Sequence, residues 1–452
     1  FIFGIKCNIG AETIASFFSL IKINHYAGLS ASSINRIEER IRDILTQYED
    51  YLQPQLEKLA KLKDLIAGAD ETFFDRFMVL LFMDLPSGFL FHEKLSEDRT
   101  FETWERKTKA AIKQFNSFLC LVSDRAKALL KLGKHNSCTN VADLFHFLMK
   151  PVRAFKFSFA RKLKTLNKET RQLTAELNSI TQEADTQRIS AQLESLNQTR
   201  LVLQQGQATY RGILSDISIT AHPFSLHLEK QNAQQVSTQL TASVVALQNV
   251  LTDCAIDDKK DVTGKMRKQI PSIAALTELW WQQVDTDVAL LEASSQLRVA
   301  VTDYLLPAMY FKLQIKKAKA KKSLRNIYQK AYNEALQKLM AHSLASELNA
   351  EPWQTWAIKT CQKYQRTTSA IEGRNGLLAG FNLCARGMTE TQLKAQTIIH
   401  NYWIQREDGT TAVERCFNFK PEINLFEFIL QNIKELPMKR YRNKSPKLPC
   451  FQ

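Results

Sequence analysis

The sequence predicts a mixed α/β protein in which helices dominate. Only 14 glycines and 11 prolines occur in 452 residues, too few for an all-β fold with many tight turns. Short apolar runs alternate with turn signals between residues 63 and 150, which indicates a sheet. From 151 to 352 the chain is long, polar and rich in Gln, Leu and Lys, which indicates a large all-α insertion.

Composition and charge narrow the class of protein. An apolar content of 44% and a charged content of 24% are typical of a folded globular chain. Lys and Arg outnumber Asp and Glu by 61 to 46, a net charge of +15 that favours a polyanionic partner such as DNA. The longest apolar run, 78–83, is far shorter than the roughly 20 residues of a membrane span. We expect a cytoplasmic, nucleoid-associated protein with no membrane partner.

The N-terminal segment, 1–62, reads as helical. A turn at Gly28 is followed by two N-cap candidates, Ser30 and Ser32, and then by an amphipathic helix. This pattern fits the second half of a helix-turn-helix, and it also fits a purely structural connector. Because the chain begins with Phe1 and not with methionine, we expect the natural N-terminus to lie upstream.

The second segment, 63–150, predicts three antiparallel strands followed by alternating helices and strands. Pro86 and Gly88 in "DLPSG" mark the turn between the second and third strands. The predicted strands cover 64–73, 77–84, 89–95, 117–123 and a short stretch near Val141, and the predicted helices cover 100–114 and 124–132.

In the third segment, 151–352, apolar residues recur every seven positions at Leu166, Leu173 and Ile180, which is the heptad spacing of a coiled coil. This coiled-coil pattern could build a homodimer or a hairpin, and its break near Arg188 favours the hairpin. Further helices are predicted over 233–252, 272–300, 304–342 and 351–366. The fourth segment, 353–435, predicts a helix, a turn at Gly409 and one more helix, and 436–452 predicts a basic disordered tail.

Three acidic residues lie in settings that suit a metal-dependent phosphodiester-cleaving site. Asp70 ends an apolar strand-like run, Asp124 follows the apolar stretch "FLCLV", and Glu372 lies in "SAIEGRNG" beside basic and amide side chains. Carboxylates brought together by separate elements can hold two Mg²⁺ ions, or Mn²⁺, about 4 Å apart. In the alternative interpretation the two aspartates only cap turns and Glu372 pairs with Arg366 or Arg374.

The motifs "GADETFF", "FMDLPSGFLFHEKLSEDRTFETW", "LVSDRAKALLKL", "ADLFHFL" and "TTSAIEGRNGLLAGFNLCARG" resemble the catalytic domain of DDE transposases of bacterial insertion sequences. More narrowly, the chain resembles transposase-like proteins often described only as a domain of unknown function. The resemblance implies a ribonuclease H-like sheet interrupted by a helical insertion before the last catalytic acid. It implies that Asp70 lies on the first strand, that Asp124 follows the fourth, and that Glu372 begins a late helix. Asp84 corresponds to the hairpin turn, and His146 to a Phe-His pair near the active site.

Basic and amide side chains supply candidates for DNA binding. Arg374 and Asn375 follow Glu372 by less than a turn, and we expect them to grip a phosphate or a displaced strand end. Arg366 is expected to lie near the active site. A run of cations on a predicted helix suggests contact with the phosphate backbone, although such a run is often only a solvated face. The run comprises Lys312, Lys316, Lys317, Lys319, Lys321, Lys322 and Arg325.

The leading hypothesis is a DDE-type transposase that cleaves the ends of an insertion sequence in an Mg²⁺-dependent reaction and transfers them to target DNA. Such an enzyme could act as a homodimer. The alternative is a catalytically inactive, transposase-derived DNA-binding protein, such as a truncated or decayed copy would give. A helical scaffold with no nucleic-acid partner is a third interpretation. No G-x-x-x-x-G-K-[ST] loop occurs, so no nucleotide cofactor is expected.

Overall fold

The structure is a computed structural model that describes residues 1–22, 29–74, 77–179, 182–385 and 388–433. Five strands form one mixed sheet in the order β3-β2-β1-β4-β5. The strands are β1 (Asp64–Phe74), β2 (Phe77–Asp84), β3 (Phe89–Ser96), β4 (Ser117–Ser123) and β5 (Thr139–Ala142). The four strands predicted with bounds are confirmed to within a residue at each end, and the short strand predicted near Val141 is confirmed as β5.

Helices make up most of the rest of the described chain. In chain order they are α1 (Ala11–Leu20), α2 (Ala31–Ala60), α3 (Phe101–Lys113), α4 (Lys127–His135), α5 (Leu144–Leu177), α6 (Glu183–Thr220), α7 (Ala233–Asp253), α8 (Val262–Ala289), α9 (Ser295–Ala300), α10 (Leu306–Lys317), α11 (Lys322–Ala341), α12 (Ala345–Leu348), α13 (Glu351–Gln362), α14 (Ser369–Ala385), α15 (Glu390–Tyr402), α16 (Ala412–Phe417) and α17 (Leu425–Asn432). Two π-helical turns cover Ile2–Lys6 and Val301–Leu305. The prediction of a mixed, helix-dominated α/β chain is confirmed.

The chain divides into two compact units. The first, unit 1, comprises Phe1–Leu119, Lys127–Leu132 and Ser369–Gln452, and the second, unit 2, comprises Cys120–Ala126 and Gly133–Thr368. The predicted tail, 436–452, and the predicted turn at Gly28 lie outside the described residues. Among the residues that are described, no helix combines the length and the apolar composition that crossing a bilayer requires.

Unit 1 is built on the antiparallel strands β1, β2 and β3. Ser30 caps α2 by accepting a hydrogen bond from the Ser33 amide (3.2 Å), as the sequence predicts. The buried face of α2 packs on the C-terminal helices, where Tyr48 donates to the Ile423 carbonyl oxygen at 2.8 Å. The predicted single helix after the Gly409 turn is wrong, because the chain forms α16, leaves it at Asn418 with a positive φ of 50°, and then forms α17.

The hairpin between β2 and β3 closes as the sequence predicts. The carboxylate of Asp84 accepts hydrogen bonds from the amide (3.1 Å) and the hydroxyl of Ser87. Gly88 has a φ of +77°, which favours glycine. Two side chains of α15 hold the turn, since His400 Nε2 lies 2.8 Å from the Gly88 carbonyl oxygen and Asn401 bonds both backbone groups of Leu90 at 2.9 Å. Asp84 is therefore committed to the turn, and its burial raises the pKa of its carboxyl group.

Unit 2 contains the parallel pair of β4 and β5 and a bundle of long helices. Its core runs from Phe147 and Phe159 of α5 through Ile217 of α6 to Leu240 of α7 and Met266 of α8. Helices α5 and α6 pack against each other as a hairpin, which agrees with the interpretation that the heptad pattern favours. Helix α5 ends at Leu177 and α6 begins at Glu183, ahead of the predicted break near Arg188, and the predicted heptad residue Ile180 lies outside the described residues.

Two predicted helices of unit 2 are divided in the structure. The prediction over 272–300 misses the start of α8 at Val262 and the end of that helix at Ala289, after which Ser294 caps the separate helix α9. The prediction over 304–342 is divided into α10 and α11, which pack side by side. Neither break, at 290–294 or at 318–321, contains a glycine or a proline, so the strongest local signals of a helix end are missing there.

Candidate functional site

Three residues in register place two acids on one face of the unit 1 sheet. Asp70 of β1 lies opposite Leu81 of β2, and Leu81 lies opposite Glu93 of β3. Directly opposed residues of antiparallel strands point to the same face. Asp70 and Glu93 are both buried, although acidic side chains are seldom buried without partners. The residues that contact Asp70 and Glu93 therefore determine whether these carboxylates are available to bind a ligand.

Helix α14 crosses this row at close range because β1 has a glycine at the crossing point. A Cβ atom on Gly68 would lie 2.8 Å from Ile371 Cδ1 and 2.6 Å from Leu85 Cδ2. Ile371 is completely buried. The absence of a side chain at Gly68 thus allows α14 to settle on the strand that carries Asp70, two residues further along.

One turn after Ile371, the side chain of Asn375 reaches Asp70. Its Nδ2 atom donates to Asp70 Oδ2 at 3.0 Å, although 305 positions separate the two residues. The other amide atom, Oδ1, is buried and has no hydrogen-bond partner within the described part of the chain. Asn375 therefore faces the first predicted catalytic acid and not a solvent-exposed DNA surface.

Arg374 makes the second contact between α14 and the row of acids. Its Nε and Nη2 atoms donate to the two carboxylate oxygens of Glu93 at 2.7 and 2.6 Å, and the side chains are 1% and 0% exposed. Thr397 of α15 donates to the same carboxylate at 2.6 Å. A guanidinium enclosed in this way presents no surface to a phosphate. This burial argues against the predicted role of Arg374 in DNA binding and gives it the role of fixing α14 on β3.

Glu372, the third predicted acid, lies in the first turn of α14 and is half-buried. It precedes Asn375 by three residues, and residues at this spacing are neighbours on a helix surface. The helix that carries Glu372 is therefore the helix that contacts Asp70. Glu372 and Asp70, 302 positions apart in sequence, thus lie on a helix and a strand of unit 1 that contact each other through Asn375.

Asp124, the second predicted acid, belongs to unit 2 and follows β4 directly. Its Oδ1 atom accepts a hydrogen bond from the Ala126 amide at 2.8 Å, and Arg125 between them has a φ of +70°. This local turn delays the following helix, so that α4 begins at Lys127 and not at the predicted residue 124. Among the described residues, no group of three or more His, Cys, Asp or Glu side chains is arranged to hold a metal ion.

His146 and Arg366, both predicted to lie near the active site, belong to unit 2. His146 Nδ1 lies 2.7 Å from Oδ2 of Asp143, the buried N-cap of α5. Thr368 donates to Asp143 through its hydroxyl at 2.5 Å and through its amide at 3.3 Å. Arg366 Nη1 donates to the Ser218 and Ala221 carbonyl oxygens at the end of α6 (2.5 and 3.1 Å). Arg366 and Thr368 therefore join the segment before α14 to the ends of α6 and α5, whereas His146 contacts the N-cap of its own helix.

A buried cluster around His222 has no counterpart in the sequence predictions. His222 Nδ1 lies 2.5 Å from the Tyr310 hydroxyl, and Nε2 lies 2.8 Å from the Tyr328 hydroxyl. Burial lowers the pKa of His222 well below its usual value, and Arg366 and Lys317 act in the same direction. The imidazole is therefore neutral. No local pattern marks it, because its partners lie 88 and 106 positions away.

The predicted cationic run lies around the connection between α10 and α11 and not along one helix. Lys316 and Lys317 end α10, and Lys322 begins α11. Like charges three or four residues apart repel each other on a helix surface, which disfavours one continuous helix through this run. The side chains exposed at this connection are Lys316, Lys317, Lys319, Lys321, Lys322 and Arg325, and Lys312 is half-buried.

Comparison with known proteins adds one finding. Residues 301–445 match the sequence model of a family of unknown function (DUF6399), which covers less than half of the chain. The matched segment includes the cationic connection and Glu372, Arg374 and Asn375 on α14. No curated protein matches the chain. The family description attaches no activity to these residues.

Proposed function

We propose that this protein is a divalent-metal-dependent DNA transposase of the DDE type, which cleaves strands at the ends of a mobile element and joins them to target DNA. One observation carries the proposal. The hydrogen bond between Asn375 and Asp70 joins α14, the helix that carries Glu372, to the strand that carries the first acid. A late helix that returns to the first strand is the arrangement that the resemblance to this family implies.

The three acids occupy the expected positions along the chain. Asp70 lies on β1, Asp124 follows β4, and Glu372 lies in the first turn of α14. The order of strands, with an antiparallel β1-β2-β3 meander and a parallel β4-β5 pair, is compatible with a ribonuclease H-like sheet. The block of helices α5 to α13 lies between the second acid and the third, which corresponds to the helical insertion of the family. We therefore assign the catalytic role to these three residues.

The donor set fits a hard divalent cation. Asp70, Asp124 and Glu372 offer carboxylate oxygens, the ligand type that Mg²⁺ and Mn²⁺ prefer, whereas zinc sites typically contain histidine or cysteine ligands. The side-chain amide of Asn375 lies beside Asp70 and carries a further oxygen, which is buried and accepts no hydrogen bond from the described residues. When bound, such ions lower the pKa of water and stabilise charge on the attacking and leaving oxygens of a phosphoryl transfer.

The protein's own side chains hold and orient the site. Asn375 fixes the orientation of the Asp70 carboxylate, and the Arg374–Glu93 pair fixes the helix that presents Glu372. The exposed cations between α10 and α11 carry charge suited to the phosphate backbone, with no preference for sequence. These groups supply positioning and electrostatic attraction, which are the main contributions a protein makes to phosphoryl transfer.

The test is a strand-cleavage assay with DNA that contains an element end, in Mg²⁺ or Mn²⁺. Asp124→Asn should reduce cleavage at least about a hundredfold while DNA binding stays unchanged, because the substitution removes a charged ligand but keeps the side chain's volume. Asp98→Asn, at an exposed acid of the loop before α3, is the matched control and should cleave normally. Full cleavage by Asp124→Asn would remove this residue from the site.

A second candidate function is DNA binding without catalysis. It is favoured by the finding that no described group of three acidic, histidine or cysteine side chains is arranged for a metal, together with the exposed cationic connection. It predicts DNA binding that weakens steeply with salt and no cleavage in either metal. Replacing Lys319, Lys321 and Lys322 with Gln should then lower the slope of log affinity against log salt by about one for each of these lysines that bonds a phosphate.

A further inference from the structure

The amide of Asn375 is satisfied on one side only. Nδ2 donates to Asp70 Oδ2 at 3.0 Å, whereas Oδ1 is buried and accepts no hydrogen bond from the described residues. A buried hydrogen-bond acceptor without a donor is uncommon in folded proteins, and such a group often has a functional role. Rotation of the planar amide group decides which of its two atoms faces Asp70.

A half-turn about the Cβ–Cγ bond exchanges the amide oxygen and nitrogen with almost no change in shape. The oxygen would then take the place of Nδ2, 3.0 Å from Asp70 Oδ2. Two such oxygens repel each other unless a cation lies between them. In an octahedral Mg²⁺ site with bonds of about 2.0–2.1 Å, neighbouring oxygen ligands are about 2.9 Å apart. The separation of the two side chains therefore matches one edge of such an octahedron.

We propose that Asn375 is a metal ligand that shares one divalent cation with Asp70, and that its amide turns from hydrogen-bond donor to oxygen ligand when the cation binds. This inference rests on the proposed function and replaces the DNA contact predicted for Asn375. A neutral ligand lowers the repulsion that two carboxylates at this distance would cause in the metal-free protein.

The surroundings of Asn375 hold it in place without the cation. Ile371, one turn earlier, packs onto Gly68, and Arg374 is anchored to Glu93. A ligand fixed in this way loses little conformational freedom on binding. Mg²⁺ commonly takes one or two protein ligands and completes its shell with water and substrate phosphate oxygens. One carboxylate and one amide can therefore hold a cation without further protein ligands, which is compatible with the finding that no group of three or more His, Cys, Asp or Glu side chains is arranged for a metal among the described residues.

The experiment measures Mn²⁺ binding to the full chain by electron paramagnetic resonance, without DNA. Asn375→Ala and Asn375→Leu, which lack the oxygen, should each weaken Mn²⁺ binding at least about tenfold. Asn375→Asp, which restores an oxygen, should bind at least as tightly as the original protein. Leu377→Ala, at an exposed position of the same helix, is the control and should bind normally. The leucine variant keeps the side chain's volume, so a result is obtained even when the alanine variant does not fold.

The possible results distinguish a failure of the ligand role of Asn375 from a failure of the proposed metal-dependent function. Unchanged or tighter binding in folded Asn375→Ala and Asn375→Leu would overturn the ligand role, because removing a mere hydrogen-bond donor frees an electron pair of Asp70 for the metal. That result would leave the proposed function standing. No Mn²⁺ binding by the original protein, or full binding by Asp70→Asn, would instead contradict the metal-dependent function itself.

Discussion

The two units bury polar groups in opposite ways. Unit 1 encloses a charged pair, Arg374 and Glu93, whereas unit 2 encloses a neutral cluster of His222, Tyr310 and Tyr328. A buried ion pair adds little net stability over an apolar pair, but it is costly to break and so fixes one arrangement. The neutral cluster avoids that cost. The charged pair thus occurs where α14 must keep one fixed position on the sheet, next to Asp70.

The largest effect is expected from breaking the charged pair. Arg374→Met should lower the free energy of unfolding by about 3–5 kcal/mol, because it leaves the Glu93 carboxylate buried without its counter-charge. Chemical denaturation at neutral pH measures this decrease. Arg36→Met, at an exposed position of α2, is the control and should change stability by no more than about 0.5 kcal/mol. A decrease below about 1 kcal/mol in Arg374→Met would show that the pair does not hold the helix.

The neutral cluster predicts a dependence of stability on pH. His222 stays neutral in the folded protein because burial lowers its pKa, while in the unfolded chain it titrates near 6.5. Below about pH 6.5 only the unfolded chain takes up this proton, so the stability contributed by His222 is present above that pH and decreases as the pH falls. The decrease approaches about 1.4 kcal/mol per pH unit.

Urea denaturation between about pH 7.5 and pH 5 tests this sign. His222→Gln can still bond to a tyrosine hydroxyl but does not titrate, so its stability should fall less steeply below about pH 6.5 than that of the original protein. Equal slopes for the two proteins would mean that the cluster does not keep His222 neutral. The comparison between variants cancels the contribution of other titrating groups, such as Asp84, whose raised pKa acts in the opposite direction.

A third prediction concerns the approach of α14 to β1. Gly68→Ala should destabilise the protein by about 1–3 kcal/mol, since its Cβ atom would lie 2.8 Å from Ile371 Cδ1. The matched control is Gly376→Ala on α14 itself, where nothing lies within 4 Å of the new Cβ atom. That substitution should stabilise the helix by up to about 1 kcal/mol. Equal effects at both positions, measured by thermal denaturation, would argue against a close contact at Gly68.

Patterns local to the chain were the reliable part of the sequence prediction. The strands β1 to β4 were predicted closely because short apolar runs bounded by turn signals define them, and Ser30 was recognisable as an N-cap. Helix ends without glycine or proline were missed, as between α10 and α11. The role of Arg374 was also missed, because an arginine beside a glutamate in sequence gives no sign of a buried partner on a strand 281 positions away.

The sequence by itself determined the mixed α/β class, the sheet with its hairpin at Asp84, the long helical block and the choice of Asp70, Asp124 and Glu372 as candidate acids. Only the tertiary structure decided that α14 lies on β1, that Asn375 faces Asp70 and that Arg374 is enclosed with Glu93. The physical reason is the distance along the chain over which each kind of interaction acts. Periodicity and capping act over a few neighbouring residues, whereas these contacts depend on the packing of a helix against strands roughly 300 positions earlier in the chain.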